Sequence, residues 1–244
     1  MLRRVIENVK TQNWFAVALE FLIVVLSIFF ALQANNWNEA RKDRIDERRF
    51  MSRLHGDLEL AEELSSRVRG RRLGLLSSVI SAADVIFVRD DRNMLSDEEC
   101  RAVGSSHYFN IPVSDLPSVA ELIGTGRIAI IQDAELRTAL VGLQQVKEAL
   151  EFIIGIQIVG TIDLPSTYPD LIQLESVFDS DRGEVASRFQ CDVEKMLTNQ
   201  KFKNDFTANA DRYDAYIRDG LAPWSMHLDK VHKLVDISLG IQHE

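Results

Sequence analysis

The stretch from Trp14 to Trp37, WFAVALEFLIVVLSIFFALQANNW, constrains this chain more than any other. From Phe15 to Leu32 it is apolar, interrupted only by Glu20 and Ser27. Helix rises about 1.5 Å per residue, so the 23 positions between the two tryptophans span about 34 Å. That matches a hydrocarbon core with its interfaces, where tryptophan prefers to lie. The sequence predicts a transmembrane helix, with Trp14, Trp37, Asn35 and Asn36 as anchors at the membrane surfaces.

Arg3, Arg4 and Lys10 form a basic lead-in of the kind that precedes a signal peptide or an anchor. A signal peptide has a shorter apolar core and small residues at a cleavage site. Here the apolar run is longer and meets Gln33, Ala34, Asn35 and Asn36, with no A-x-A site. An uncleaved anchor follows. Orientation draws on two opposed signals. Arg41, Lys42, Arg44, Arg48 and Arg49 favour a cytoplasmic C-terminal side, by the positive-inside count. Glu39, Asp43, Asp46 and Glu47 dilute that cluster, and a short basic N-terminal tail ordinarily stays inside while the long domain crosses. The expectation is N-in, C-out, with a periplasmic C-terminal domain on a bacterial inner membrane.

Glu20 lies about two turns inside the span, where a carboxylate is costly. At 100° per residue, Ala16, Glu20, Ser27, Ala31 and Ala34 share one side of the helix. Small and polar residues let helices approach closely and give a protonated or paired Glu somewhere to hydrogen-bond. This stripe predicts a helix–helix contact, with a second copy or with a partner membrane protein.

The remainder is acidic. Residues 1–50 hold 8 Lys and Arg against 6 Asp and Glu, which leaves −11 of the net −9 on the rest. A nucleic-acid binder needs a cationic face, so that class is excluded. Apolar positions Met51, Leu54, Leu58, Ala61, Ser65 and Val68, then Leu75, Val79, Ala82 and Ile86, continue a helical stripe past the anchor. Gly70 and Gly74 predict a kink, with one unbroken helix to about residue 88 as the alternative. Ser96 before Asp97, Glu98 and Glu99 is a capping box, predicting a helix over about 97–106. Ser114 is a candidate cap for a brief helix ending at Gly124. Asp133 opens a long helix with Leu136, Leu140, Leu143, Val146 and Leu150 on one face. Leu150–Ile162 reads as core helix, not a second span. Residues 163–187 read as irregular, followed by helices over about 188–198, 200–220 and 223–240, with Pro223 in the last one's first turn. The fold class is all-α: an N-terminal transmembrane helix continuing into a long helix, with an extramembrane antiparallel helical bundle. Residues 1–40 form the tail and anchor, and 41–244 the acidic domain.

No catalytic, cofactor or metal site emerges. Cys100 and Cys191 are far apart and form no CxxC pair; they read as two buried thiols, with a bridge open to them in an oxidising periplasm. His55, His107, His227, His232 and His243 form no HExxH, and His227 and His232, at i, i+5, fall on different faces. Gly124–Gly126 lacks GxxxxGK[ST], and Ser105-Ser106-His107 lacks a GxSxG elbow.

Two runs carry a resemblance. ALQANNWNEARK (Ala31 to Lys42) and PSVAELIGTGRIAIIQDAELRTAL (Pro117 to Leu140) resemble an uncharacterised family of bacterial single-span membrane proteins, whose span ends in an ALQ-x-NNWNE signature. Leu122, Gly126, Ile130, Asp133, Leu136 and Arg137 fill the second block's pattern. Ala34 departs from the bulkier residue common there. The resemblance covers roughly residues 13–150 and implies a membrane-anchored helical protein. It brings no activity, cofactor or site residues.

These readings converge on a non-enzymatic, membrane-anchored interaction or scaffold protein. Its partners would be the lipid bilayer and either itself or another membrane protein. The alternative is a membrane-tethered sensor that binds a small ligand in the bundle and signals through a partner.

Overall fold

The computed structural model describes residues 14–109, 115–179 and 183–242. It is 77% helical with one small two-stranded sheet, so the chain is all-α. Contacts divide it into two units, Met1–Phe50 and Met51–Glu244.

Helix α1 runs from Trp14 to Ile86. In the first unit its large apolar side chains between Leu19 and Leu32 are 43–70% exposed. This segment is long and apolar enough to cross a membrane. In the second unit the same helix buries Met51, Leu54, Leu58, Ala61 and Ser65, then Val79, Ala82 and Ile86. The predicted stripe is therefore a packed face. The helix runs without a break through Gly70 and Gly74 to Ile86, which matches the single-helix alternative. Each glycine weakens the helix by about 1 kcal/mol, and buried side chains on both sides of the pair hold it.

Helix α2 (Asp97–Gly104) starts at the predicted capping box, with the Ser96 hydroxyl accepting the Glu99 N–H and the Glu99 carboxylate accepting the Ser96 N–H. Helix α3 (Pro117–Gly124) has Leu116 at its N-cap, with no side-chain cap of its own. Its orphan Ser118 N–H is taken instead by the Asp57 carboxylate of α1 at 3.0 Å, a cap from a distant part of the chain. Ser114 lies outside the described residues. A 3₁₀ turn (Arg127–Ile130) follows Gly126, whose φ of +69° suits glycine.

Helix α4 (Ala134–Gly160) is capped by Asp133, as the sequence indicated, and buries Leu136, Ala139, Leu140, Leu143, Leu150 and Ile154. Its C-terminal third is less enclosed than expected. Leu150 and Ile154 are buried, but Phe152, Ile156, Ile158 and Val159 are exposed, because the helix has only one covered stripe there. By length and composition α4 too could cross a membrane.

A short helix α5 (Leu164–Thr167) leads into a hairpin of β1 (Ile172–Asp179) and β2 (Glu184–Cys191), paired antiparallel from Ile172↔Cys191 to Asp179↔Glu184. This corrects the expectation of an irregular 163–187 and a helix from 188. The alternation Ile172, Leu174, Ser176, Phe178 and its mirror Val185, Ser187, Phe189, Cys191 has the strand period of two. Gly183, at φ +67°, sits before the return strand.

Helices α6 (Val193–Thr198) and α7 (Gln200–Ala215) follow. The expected break near residue 220 is a π-helical segment, Tyr216–Leu221, that runs directly into α8 (Ala222–Leu239). Gly220 permits this path: a Cβ there would meet Leu150 Cδ1 of α4 at 2.8 Å. Pro223 lies in the first turn of α8.

One core cluster joins Val79, Ala82 and Ile86 of α1 to Val103, Leu164, Tyr168, Ile172, Met196, Phe202 and Phe206. At its edge Cys100 of α2 and Cys191 of β2 form a disulfide across 91 positions. Two buried thiols were expected; the hairpin, invisible in the sequence reading, carries Cys191 to α2. The second large packed region is α4 against α8 and the π segment.

Candidate functional site

The anchor residues singled out in the sequence fall on one uninterrupted helix. Trp14 opens α1 and Ala16 follows in the same turn, but their side chains lie outside the described residues. Glu20, Ser27, Ala31, Ala34, Asn35 and Asn36 are all exposed, as is Trp37 at 70%. Ser27 donates its hydroxyl to the Ile23 carbonyl at 2.7 Å, so its polarity is met within the helix. Asn35 donates to the Glu39 carboxylate at 2.9 Å.

The densest convergence of chemistry-bearing side chains in the second unit is elsewhere, where α1 meets α8. Ser65 and Ser225 hydroxyls lie 3.1 Å apart, and His55 pairs with His232 and Asp236. As numbers fall along α1 they rise along α8, so the two helices are antiparallel.

At this crossing Nε2 of His232 is 3.1 Å from Nδ1 of His55. Asp236 Oδ1 lies 2.9 Å from His55 Nδ1 and 3.6 Å from His232 Nε2. The outward ring nitrogens face carboxylates as well. His232 Nδ1 is 2.7 Å from Glu62 Oε2, and His55 Nε2 is 3.3 Å from Glu59 Oε1. Asp236 is 2% and His232 7% exposed, while His55 and Glu62 are half-buried. A cleft of about 530 Å³ opens beside them, bordered by Glu59, Glu62, Glu63, Ser66, Ile241 and Gln242. Buried polar groups at this density persist only when hydrogen-bonded or coordinating.

Helix periodicity builds the group. On α1, His55, Glu59 and Glu62 sit at i, i+4, i+7; on α8, His232 and Asp236 sit at i, i+4. The sequence assigns no metal ligands because its histidines form no HExxH or ExxH motif, and His227 and His232 fall on different faces. The missed signal was His-x3-acid on each of two helices, His55–Glu59 and His232–Asp236, each beside buried apolar residues: Leu54 and Leu58 on one, Val231 and Val235 on the other.

The remaining candidates are committed to structure. Ser105 and Ser106 hydroxyls donate to Arg101 and Val103 carbonyls, so neither is poised as a nucleophile toward His107. Burial pulls His107 below the ordinary imidazole value, against the opposing charge of Asp163. Glu99 is buried; burial opposes its charged form, but Arg92, the Ser81 hydroxyl and the Ser96 N–H outweigh that and hold its carboxyl at about 2. Asp205 is held below the usual carboxylate range, chiefly by the Tyr168 hydroxyl and also by Lys201. His227 faces its own helix, with Nδ1 2.9 Å from the Pro223 carbonyl. His243 lies outside the described residues.

Compared with protein-family models, curated proteins and solved structures, the chain matches none.

Proposed function

We propose that this chain is a single-span, membrane-anchored interaction protein of the bacterial inner membrane, with its helical domain on the periplasmic side. The observation that carries the anchor is the contiguous apolar surface of α1, whose large side chains from Leu19 to Leu32 are all left exposed. Apolar surface of that extent on a water-exposed helix would drive association. The Cys100–Cys191 disulfide supports the orientation, since such bonds persist in oxidising compartments. The Lys and Arg count of the flanks favours the opposite side, diluted by Glu39, Asp43, Asp46 and Glu47; the disulfide and the short basic N-terminal tail weigh for N-in, C-out. The ALQANNWNEARK run, read as a family signature, fits the same architecture. No part of the proposal requires catalysis.

Within this reading, the stripe of Ala16, Glu20, Ser27, Ala31 and Ala34 is the contact surface inside the membrane. Glu20→Leu or Ser27→Leu, in full-length protein extracted in mild detergent, should change oligomer size or the co-purifying partners. Unchanged size and partners in both variants would defeat the membrane-contact reading. A reporter fused after Glu244 tests the side.

A second reading, the membrane-tethered sensor, is favoured by the His55–His232 cleft. That cleft is on the same helix as the candidate span and is open to a small ligand.

A further inference from the structure

We infer that His55, His232 and Asp236 form a binding site for a divalent transition-metal cation of the zinc class. The inference supplies a ligand for the sensor reading and does not depend on the chain's membrane orientation or its partner.

The spacing is the first reason. Zinc bonds imidazole nitrogen and carboxylate oxygen at about 2.0–2.1 Å in tetrahedral geometry, which sets ligand atoms about 3.3 Å apart. Here the three edges are 2.9, 3.1 and 3.6 Å. They bracket that value, so one cation can sit within bonding reach of all three atoms without rebuilding the helices.

The outer partners are the second reason. A metal-bound histidine characteristically donates its other N–H to a carboxylate, which fixes the tautomer and raises basicity at the metal side. Glu62 accepts from His232 Nδ1, which leaves the Nε2 lone pair turned inward. Glu59 lies 3.3 Å from His55 Nε2, placed to hold the second ring in the same way once a cation displaces the proton shared by the two inward nitrogens. Two carboxylates on one helix thus orient two imidazoles on different helices toward one point. Asp236 Oδ1 faces that same point, so a cation that displaces the inward proton meets three donor atoms there.

Donor chemistry selects the ion. Two nitrogens and one oxygen suit Zn²⁺, Co²⁺ or Ni²⁺; Ca²⁺ and Mg²⁺ require oxygen-rich shells. Among the described residues the site supplies three protein ligands, and His55 and His232 border the cleft. The carboxylates of Glu59, Glu62 and Glu63 border that cleft and attract cations to it.

The test uses full-length protein in mild detergent, purified without a histidine tag and stripped with a chelator. Co²⁺ is titrated in, followed by its visible d–d absorption, and then displaced with Zn²⁺. The expected result is saturation at an equimolar ratio with the intense band of tetrahedral Co²⁺, lost on adding Zn²⁺, and no competition from excess Mg²⁺. His55→Ala and Asp236→Asn should each abolish the band. Glu62→Gln, which keeps all three ligands, should weaken binding about 10–100-fold. Circular dichroism of each variant establishes that it is folded, and the wild-type titration stands alone if one is not. Absence of saturable binding by wild type, or an unchanged band in folded His55→Ala, overturns the site. Co-purifying partners, scored on the same preparations, report separately on the interaction reading.

Discussion

Nε2 of His232 lies 3.1 Å from Nδ1 of His55, across 177 positions of sequence. The contact joins the helix that carries the candidate span to the last helix of the chain. It is flanked by Asp236 within, by Glu62 and Glu59 without, and further along by the Ser65–Ser225 pair. Polar pairs therefore stand at the α1–α8 crossing alongside the buried Leu54, Leu58, Leu228 and Val231 of the same two helices. Occupation of its ligand atoms by a cation would tie α1 to α8 more tightly than the hydrogen bonds alone.

The disulfide should be a major contributor to stability. It closes a loop of 91 positions between α2 and β2. Losing such a cross-link from a folded domain costs about 2–5 kcal/mol. Cys100→Ser/Cys191→Ser should lower the denaturant midpoint by a corresponding amount. A maleimide should label the unfolded wild type only after reduction. Labelling of both cysteines without reductant would restore the two-thiol expectation.

Glu99 should give the domain an acid-sensitive component. Its folded carboxyl, at about 2, is below its ordinary value of 4.5. A depressed carboxyl stabilises above its unfolded pKa, and that stability is lost as pH falls toward the folded value. Between about pH 7 and about pH 3 the loss should be about 2 kcal/mol. Urea unfolding at both pH values checks it: Glu99→Gln should show a smaller acid-induced loss than wild type by that amount. Equal losses would contradict the assignment.

Asn209 should be among the costliest polar positions to truncate. It is fully buried, accepts from the Ile162 N–H at 3.0 Å, and donates to the Ile162 carbonyl at 2.8 Å and to Ser106 Oγ at 3.1 Å. Asn209→Ala strands both backbone groups of Ile162, and each unsatisfied group costs about 1–3 kcal/mol. A loss of about 2–4 kcal/mol in urea titration, with unchanged slope, is the expected outcome; less than about 0.5 kcal/mol would mean the segment finds other partners.

Gly104 should tolerate no side chain. A Cβ there would lie 2.3 Å from Phe189 Cδ1, in the packing of α2 against β2. Gly104→Ala should destabilise by about 1–3 kcal/mol through overpacking. Gly104→Ala/Phe189→Leu should recover part of that, which thermal melts of the two variants can measure.

Much of the fold was legible because its signals are local. The capping box at Ser96, the Asp133 cap, the stop at Gly124 and Pro223 in a first turn are each written within a few residues of the feature they produce. The hairpin escaped because its alternation is short and mixed with polar residues. Its strands gain their stability from pairing with each other and from the tie at Cys191. The cap of α3 escaped for a related reason: its acceptor, Asp57, is 61 positions away.

By itself, the sequence determined the class and the place of the candidate span: helical period, apolar length and caps depend on neighbours along the chain, and a continuous apolar run is readable wherever it occurs. Only the tertiary structure decided which distant side chains share a point. His55, His232 and Asp236 are ordinary helix residues until α1 and α8 pack antiparallel, and Cys100 and Cys191 are separate thiols until the hairpin returns to α2. Helix periodicity specifies which face a residue occupies; the packing of whole helices specifies what that face meets.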